Sequence, residues 1–191
     1  MKKIGILAIQ GDFALHKIAL DKLSIESLYV RNIDDLIESD ALILPGGEST
    51  TISLLLNKYN LFESIKDFAK DKSVFGTCAG AILMSSNSND SRVNNFGFLD
   101  VRSNRNAWGS QIDSFSDYID LVNDKVFSKE YYATFIRGPK FSNIKKTCTV
   151  LGYHNSEPVL IRNAKHLISS FHPEINKDLC IYKYFVNMIN E

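Results

Sequence analysis

The sequence has no excess of charge of either sign. Its 191 residues include 22 lysines and arginines and 22 aspartates and glutamates, so the formal net charge is zero when histidine is neutral. Such a balance gives no reason to expect binding to nucleic acid or to an acidic membrane surface. No apolar run approaches the roughly 18 residues that a membrane-spanning helix requires. We therefore expect neither a nucleic-acid nor a membrane partner.

Cysteine is also scarce. The three cysteines, Cys78, Cys148 and Cys180, are an odd number at wide spacings, which matches neither a disulfide framework nor a zinc-binding pattern. A reducing, cytoplasmic location fits such a sequence best. The chain begins with a strand-like segment, so we expect no signal peptide. Cys148 lies in a strand pattern and Cys180 on the apolar side of a helix pattern, and we expect both in the core.

Strand and helix patterns alternate along the first part of the chain. Apolar strand patterns occur at 4–9, 27–30, 41–44 and 73–75, and helical patterns at 14–23, 52–56 and 62–69. This alternation is typical of an α/β fold with a mainly parallel sheet. In such sheets ligands bind beyond the carboxyl ends of the strands. We therefore expect the functional residues in the turns that follow the strands.

The pattern changes after a polar stretch at 85–95, which we interpret as a loop. Six strand patterns without long helices between them follow at 98–101, 118–122, 131–136, 148–154, 158–161 and 166–171. They predict additional antiparallel strands, with a hairpin at Asn155–Ser156, and a final helix is predicted at 177–189. His154 and His166 lie at strand ends, where we expect surface residues. We find no linker or repeat, so residues 1–191 are expected to form a single domain.

A cysteine between glycines follows the fourth predicted strand. Gly76-Thr77-Cys78-Ala79-Gly80 joins an apolar strand to an apolar helix, which is the pattern of a nucleophile elbow. The two glycines allow the strand and the helix to approach closely. Cys78 would then lie at a helix N-terminus, which favours the reactive thiolate. The alternative is an inert core cysteine, and this stretch alone leaves both interpretations open.

A histidine followed by a carboxylate at the second position could activate that cysteine. In Phe171-His172-Pro173-Glu174, Pro173 disfavours helical backbone at His172. In an extended segment, residues two apart point in the same direction. Glu174 could therefore orient the imidazole of His172 towards Cys78. The alternative is a surface turn that opens the last helix.

A second glycine turn follows the third predicted strand. Gly46 and Gly47 expose backbone N–H groups there, which are possible donors to an oxyanion. Ser49 or Thr50 is expected to cap the helix that follows. Glu48 either complements the helix dipole or binds a substrate ammonium group.

Several motifs together resemble a known family. They are Ala8-Ile9-Gln10-Gly11, Leu44-Pro45-Gly46-Gly47-Glu48-Ser49-Thr50-Thr51, Gly76-Thr77-Cys78-Ala79-Gly80, the segment 105–115, the segment 135–139 and Ser170-Phe171-His172-Pro173-Glu174. In this order they resemble the glutaminase subunits of pyridoxal 5′-phosphate synthase, which are class I glutamine amidotransferases. The resemblance covers essentially the whole chain. It implies a flavodoxin-like, mainly parallel sheet with helices on both faces and extra antiparallel strands.

The resemblance also implies roles for individual residues. Cys78, His172 and Glu174 match the catalytic triad of the family. The glutamine-binding residues that it implies are Gly47, Glu48, Ser49, Arg105, Ile136 and Arg137. The backbone N–H groups of Gly47 and Ala79 are our candidates for the oxyanion hole. The expected substrate is L-glutamine, the expected partner is a separate synthase subunit that receives the ammonia, and no metal or organic cofactor is implied.

The chain departs from the family pattern at a few positions. Trp108 stands where phenylalanine is usual, and Gly138 where alanine is common; both changes are expected to alter packing rather than chemistry. Asp12 is a less usual residue after Gln10-Gly11. His16 matches a histidine of the family, and we expect it on the surface, facing either a partner or solvent. The remaining alternatives are another class I amidotransferase subunit, a stand-alone γ-glutamyl hydrolase and a non-catalytic regulatory module.

Overall fold

A computed structural model describes residues 2–105, 114–122, 127 and 130–190. Within these ranges, the α-helices are α1 (Phe13–Lys22), α2 (Ile33–Ile37), α3 (Ser49–Lys58), α4 (Leu61–Phe68), α5 (Ala79–Met84) and α6 (Cys180–Ile189). The strands of the first half are β1 (Ile4–Leu7), β2 (Ser27–Val30), β3 (Ala41–Leu44), β4 (Ser73–Thr77), β5 (Ser85–Ser88) and β6 (Leu99–Asn104). The later strands are β7 (Phe115–Leu121), β8 (Glu130–Phe135), β9 (Lys140–Ser142), β10 (Thr149–His154), β11 (Glu157–Arg162) and β12 (Leu167–Ser169). A 3₁₀ turn spans Pro173–Ile175.

The main sheet has nine strands in the order β2-β1-β3-β4-β12-β11-β10-β7-β8. Its first five strands pair in parallel, and the pairs from β12 to β8 are antiparallel. A smaller sheet has the order β5-β6-β9. The predicted fold class, a mainly parallel sheet with added antiparallel strands, is confirmed.

Helices cover both faces of the parallel half of the sheet. Alternate side chains of each strand enter different cores, as the two-residue period of a strand requires. Ile43 of β3 packs with Leu20 of α1 and Phe185 of α6 on one face. Leu42, its neighbour, packs with Ile52 of α3 on the other face. Because both faces of these strands are buried, their sequences are continuous apolar runs.

Four elements differ from the sequence predictions, and one of them is the short strand β9, which was not predicted. The stretch predicted as a loop at 85–95 begins with β5, a strand of polar residues that pairs in parallel with β6. The final helix begins at Cys180 rather than at 177, and the Asp178 carboxylate accepts a hydrogen bond from the Cys180 N–H (2.9 Å). The short helix α2 was not predicted; its N-cap, Asn32, accepts a hydrogen bond from Asp35 N (3.0 Å).

Two histidines that were expected on the surface are buried instead. His166 stacks on Phe98 and accepts a hydrogen bond from Val74 N through Nδ1 (3.3 Å). Burial lowers the pKa of His166 to about 4. His154 is buried with its Nε2 2.9 Å from Asp117 Oδ2. The sequence does not distinguish a strand end that is covered by another part of the chain from a strand end that is exposed to solvent.

The other predictions about single residues had mixed outcomes. Cys180 is buried, as predicted, and Cys148 is only partly buried. Trp108 lies outside the described residues. In the described part of the chain, no helix combines the length and apolarity that crossing a membrane would require.

Candidate active site

The predicted site residues converge at the carboxyl ends of the parallel strands. A cavity of about 300 Å³ opens there, beyond the ends of β1, β3 and β4. Eight of the predicted residues line it: Gly47, Glu48, Ser49, Cys78, Arg105, Ile136, Arg137 and His172. Gln10 and Asp12, from the turn after β1, complete part of the wall. The location agrees with the general position of ligand sites in parallel α/β sheets.

Cys78 lies in the sharp turn between β4 and α5. Its φ of 47° and ψ of −103° are a strained conformation for a non-glycine residue. The turn is fixed by hydrogen bonds from Cys78 N to Ser169 O (2.9 Å) and from Ile82 N to Cys78 O (3.1 Å). A Cβ on Gly80 would lie 2.0 Å from Leu44 O, so glycine is required at that position. This geometry is that of a nucleophile elbow.

His172 and Glu174 form the predicted pair. Their Nδ1 and Oε1 atoms are 2.6 Å apart, and both side chains are buried. The backbone holds the histidine as well, because His172 N donates to Thr134 O (2.8 Å). The imidazole lies close to Gly46, where an added Cβ would approach Cε1 to 2.5 Å. His172 is therefore positioned by neighbouring elements as well as by Glu174.

The pKa values of His172 and Glu174 are both shifted towards the charged forms, as catalysis requires. Burial by itself would lower the pKa of His172, but the polar interactions with Cys78 and Glu174 outweigh it and raise the pKa to about 10. Burial by itself would raise the pKa of Glu174, but the neighbouring His16 and His172 outweigh it and lower the pKa. An ionised carboxylate beside a basic imidazole is the arrangement that steadies an imidazolium.

The second ring nitrogen of His172 is available to the nucleophile. Among the described residues, His172 Nε2 has no hydrogen-bond partner. The Cys78 thiol instead donates to Ile136 O (3.5 Å). Rotation of the thiol towards Nε2 would prepare it for proton transfer, and catalytic hydrogen bonds often tighten only when substrate is bound.

The turn after β3 carries a carboxylate at the rim of the cavity. Glu48, not Ser49 or Thr50, is the N-cap of α3; its Oε2 accepts from Thr51 N (2.7 Å) and Thr51 Oγ1 (2.8 Å). Partial burial would raise the Glu48 pKa, but hydrogen bonds from Thr50 and Thr51 lower it to about 2. Its other oxygen, Oε1, accepts from Arg105 Nη2 (2.9 Å). Glu48 therefore caps α3 with one oxygen and pairs with Arg105 through the other, and its binding of a substrate ammonium group remains a prediction.

Arg105 is held from a second side by Asp90. The Asp90 carboxylate contacts Arg105 Nη1, and it also accepts from Arg92 Nε (2.9 Å) and Arg92 Nη2 (2.7 Å). These interactions hold the pKa of Asp90 well below its usual range. Arg105 thus reaches the cavity between two carboxylates. The motif comparison did not single out Asp90, which lies in the stretch interpreted as a loop.

The turn after β1 lies directly against the glycine turn after β3. Gln10 Oε1 accepts from Glu48 N (3.0 Å), and Asp12 N donates to Gly46 O (3.2 Å). Gly11 has a φ of 94°, and a Cβ there would lie 1.9 Å from Gly46 O. The use of Gly47 N and Ala79 N as oxyanion donors remains a prediction. A conformational change in one of the two turns would be transmitted to the other.

The segment after β8 closes another side of the cavity. Arg137 adopts a φ of 48°, and Ile136 O receives the thiol hydrogen bond. Gly138 follows with its Cα against β12, where an added Cβ would lie 2.2 Å from Ser170 O. In this chain alanine at position 138 would therefore require the backbone to move. That departure from the family pattern concerns packing, as expected.

His16 is a third histidine that the sequence reasoning wrongly placed on the surface. Its side chain is fully buried, not exposed. Its Nε2 lies 3.3 Å from Thr77 Oγ1 and 3.6 Å from Glu174 Oε1, and its Nδ1 lies 2.7 Å from Tyr182 Oη. The helical spacing did hold a signal, because His16 shares the buried face of α1 with Ala19 and Leu20.

One group of three potential metal ligands occurs among the described residues. It consists of Asp12, His172 and Glu174, whose potential ligand atoms lie within 4.8 Å of one another. The Nδ1 of His172 and the Oε1 of Glu174 already bond to each other. Loss of that bond would leave the imidazole unoriented. The expectation that the chain uses no metal remains a prediction.

A strained cysteine elbow, a buried His–Glu pair and a polar cavity at the ends of a parallel sheet define the class of glutamine amidotransferases that use a cysteine triad. Comparison with known proteins narrows this class. The SNO glutamine amidotransferase family matches residues 6–191, and the chain belongs to that family.

Individual relatives match over nearly the whole chain. A pyridoxal 5′-phosphate synthase subunit PdxT from Thermosipho africanus is 42% identical over 190 residues, which are 99% of this chain and 100% of that protein. The protein of the same name from Francisella philomiragia is 40% identical, with 97% of this chain and 98% of that protein covered. A solved structure described as a glutamine amidotransferase has a TM-score of 0.91 at 36% identity, covering 98% of this chain and 99% of that chain. The PurLQS structure from Thermotoga maritima, at 15% identity and a TM-score of 0.72 (coverage 98% and 99%), supports the fold alone.

Proposed function

We propose that this chain is the glutaminase subunit of a pyridoxal 5′-phosphate synthase. It hydrolyses L-glutamine to glutamate and ammonia, and it supplies the ammonia to a separate synthase subunit in the cytoplasm. The observation that carries the proposal is the 2.6 Å His172–Glu174 pair beside the strained Cys78 in one cavity. The names of its close relatives support the choice of partner. Residues 1–191 would act as one amidotransferase domain.

The cysteine, the histidine and the glutamate have separate roles. The Cys78 thiol first passes its proton to His172 Nε2, and the thiolate Sγ, beside the imidazolium, then attacks the carboxamide carbon. His172 then returns that proton to the amide nitrogen, the C–N bond breaks and ammonia leaves. Water, activated by the same imidazole, hydrolyses the thioester and releases glutamate. Glu174 fixes the ring and steadies the imidazolium at each stage.

Charges around the cavity suit the two ends of glutamine. Glu48 is ionised, with its pKa lowered to about 2, and faces the substrate ammonium group. Arg105 and Arg137 supply positive charge for the α-carboxylate. Gly47 N and Ala79 N supply the oxyanion donors. No step in this mechanism requires a metal or an organic cofactor.

Contacts between the two glycine turns support control by the partner. Gln10 holds Glu48 N, and Gly11 leaves space for Gly46 O, so docking near Gln10 would alter the peptide that carries Gly47 N. A glycine peptide reorients at little steric cost. A partner that favours the competent state by about 3 kcal/mol would raise its population more than a hundredfold.

The test measures glutamate and ammonia at saturating glutamine, first for the chain alone and then with excess synthase subunit. We expect a low rate alone, a much higher rate with the subunit, and pyridoxal 5′-phosphate when the pentose and triose phosphates are supplied. Equal rates in the two assays would favour a stand-alone hydrolase. No hydrolysis under either condition would favour a regulatory module. The Cys78→Ala variant, mixed with the same subunit, controls for contaminating glutaminase.

A further inference from the structure

A buried polar cluster lies behind the triad, on the side away from the cavity. It consists of His16 of α1, Thr77 of β4 and Tyr182 of α6, and none of the three has any exposed surface. They are brought together from positions up to 166 residues apart. None of them lines the cavity. Burying three polar side chains together is costly unless each has a partner, so the arrangement needs an explanation.

The proton positions in this cluster follow from its neighbours. Glu174 is ionised and can only accept, and it lies 3.6 Å from His16 Nε2, so the ring hydrogen belongs on Nε2. His16 Nδ1 must then accept, and Tyr182 Oη at 2.7 Å is the donor. Burial raises the pKa of Tyr182 well above its usual value, which keeps the phenol protonated. Burial is also the main reason that the pKa of His16 is lowered, so the ring is neutral.

The neutral ring presents its N–H to the catalytic pair. Nε2 is within hydrogen-bonding distance of the Oγ1 of Thr77 (3.3 Å), the residue that directly precedes the nucleophile. Glu174 Oε1 lies 3.6 Å from Nε2, which is an electrostatic contact rather than a hydrogen bond. Oε1 is the same oxygen that accepts from His172. The dipole of His16 therefore favours the ionised form of Glu174 at the position where it orients His172.

We propose that Tyr182 and His16 form a positioning relay that fixes the triad carboxylate Glu174 and, through it, the imidazole of His172. The relay touches neither the substrate nor the reacting atoms. It acts on turnover rather than on glutamine binding. This inference rests on the proposed glutaminase activity.

Tyr182→Phe is the sharpest variant, because it removes one hydroxyl and keeps the ring that packs on Phe75. Tyr184→Phe is the matched control: Tyr184 is a buried tyrosine of the same helix, and its hydroxyl accepts from Arg162 Nη1 (2.9 Å). With the synthase subunit present, we expect Tyr182→Phe to lower kcat by about threefold to tenfold, with KM within about twofold. Tyr184→Phe should leave both constants unchanged.

A second pair of variants tests His16 itself. His16→Gln keeps an N–H donor near the Nε2 position, whereas His16→Leu removes both ring nitrogens. We expect His16→Gln to recover most of the kcat that His16→Leu loses. Equal losses in the two variants would show that only the volume of the side chain matters, and would overturn the relay.

A third readout does not depend on activity. Histidine-selective ¹⁵N NMR of the chain, with His172 assigned by a His172→Asn variant, gives the titration midpoint of that ring. The groups facing Glu174 are His16, His172, Tyr131 and Tyr182, and Asp12 lies near His16. A less firmly held Glu174 stabilises the imidazolium less, so Tyr182→Phe should lower the midpoint by about 0.3 pH unit or more.

The outcomes separate the two proposals. If the unmodified chain with its partner releases no ammonia, the proposed function fails, and the NMR titration still tests the relay. If the unmodified chain is active but Tyr182→Phe changes neither kcat nor the His172 midpoint, the relay is wrong and the function stands. A rise in KM at unchanged kcat would also overturn the relay, because it would place Tyr182 in substrate binding.

Discussion

The Glu174→Gln substitution tests the catalytic pair most directly. The 2.6 Å contact between His172 Nδ1 and Glu174 Oε1 is buried and charge-assisted. A hydrogen bond of this kind stabilises the state in which it forms by about 1.5–3 kcal/mol. At one decade per 1.4 kcal/mol, its loss in the transition state lowers kcat by about 10- to 150-fold.

Two further features of the site bear on the kinetic constants expected for Glu174→Gln. The glutamine amide can turn its NH₂ towards Nδ1, which would leave the ring hydrogen on Nε2 and prevent it from accepting the thiol proton. The loss of kcat could therefore exceed the value above. Glu174 does not line the cavity, so KM should stay within about threefold of the unmodified value.

The assay for Glu174→Gln is steady-state ammonia release with excess synthase subunit, together with thermal unfolding to show that the fold is kept. Glu63→Gln is the control. Each glutamate lies in the first turn of its helix, α4 for Glu63 and the 3₁₀ turn for Glu174, but Glu63 is exposed whereas Glu174 is buried. Glu63→Gln should have no effect on kcat. A Glu174→Gln enzyme with kcat within about threefold of normal would reduce Glu174 to a helix-capping residue and leave only a Cys–His dyad.

Three other predictions follow from the geometry. A diazo-ketone analogue of glutamine should label Cys78 and not Cys148 or Cys180, as mapped by mass spectrometry, and a label on either of the latter would contradict the assignment of the nucleophile. Asp90→Asn should raise KM for glutamine by about threefold to tenfold at nearly constant kcat, because it loosens Arg105. Arg92 is the outer partner of Asp90, and its substitution in Arg92→Ala should change KM less. Gly80→Ala places a Cβ 2.0 Å from Leu44 O, so it should lower the free energy of unfolding by about 1–3 kcal/mol or more in chemical denaturation, and an unchanged value would mean that the elbow relaxes freely.

The parts of the site that sequence predicted are those with local signals. The elbow is encoded within five residues, Gly76 to Gly80, because strand, turn and helix follow one another without a gap. The His172–Glu174 pair was likewise predicted from a two-residue spacing and an intervening proline, although Pro173–Ile175 forms a 3₁₀ turn rather than the extended segment that the prediction assumed. The convergence of these segments followed from the general rule on the carboxyl ends of parallel strands. Each of these inferences needed only neighbouring residues and one topological rule.

The parts that sequence missed depend on partners far along the chain. The polar segment Ser85–Ser88 forms a strand because β6 pairs with its backbone, and such pairing leaves no apolar alternation to detect. Asp90 acquires a role only because Arg105 lies beside it. His154 and His166 look like polar strand ends, but they are covered by rings from other segments.

His16 shows why a residue with a clear local pattern can still be misjudged. In the structure His16 lies on the buried face of α1 with Ala19 and Leu20, but a titratable side chain is expected in the core only when it has a partner. The partners are Tyr182, near the end of the chain, and Thr77 and Glu174, which lie far apart in the sequence and meet at His16 Nε2. The layer formed by α1 and α6 is therefore in contact with the catalytic carboxylate itself. Substitutions on that buried face should alter turnover before they alter glutamine binding, whereas substitutions at the cavity rim should do the reverse.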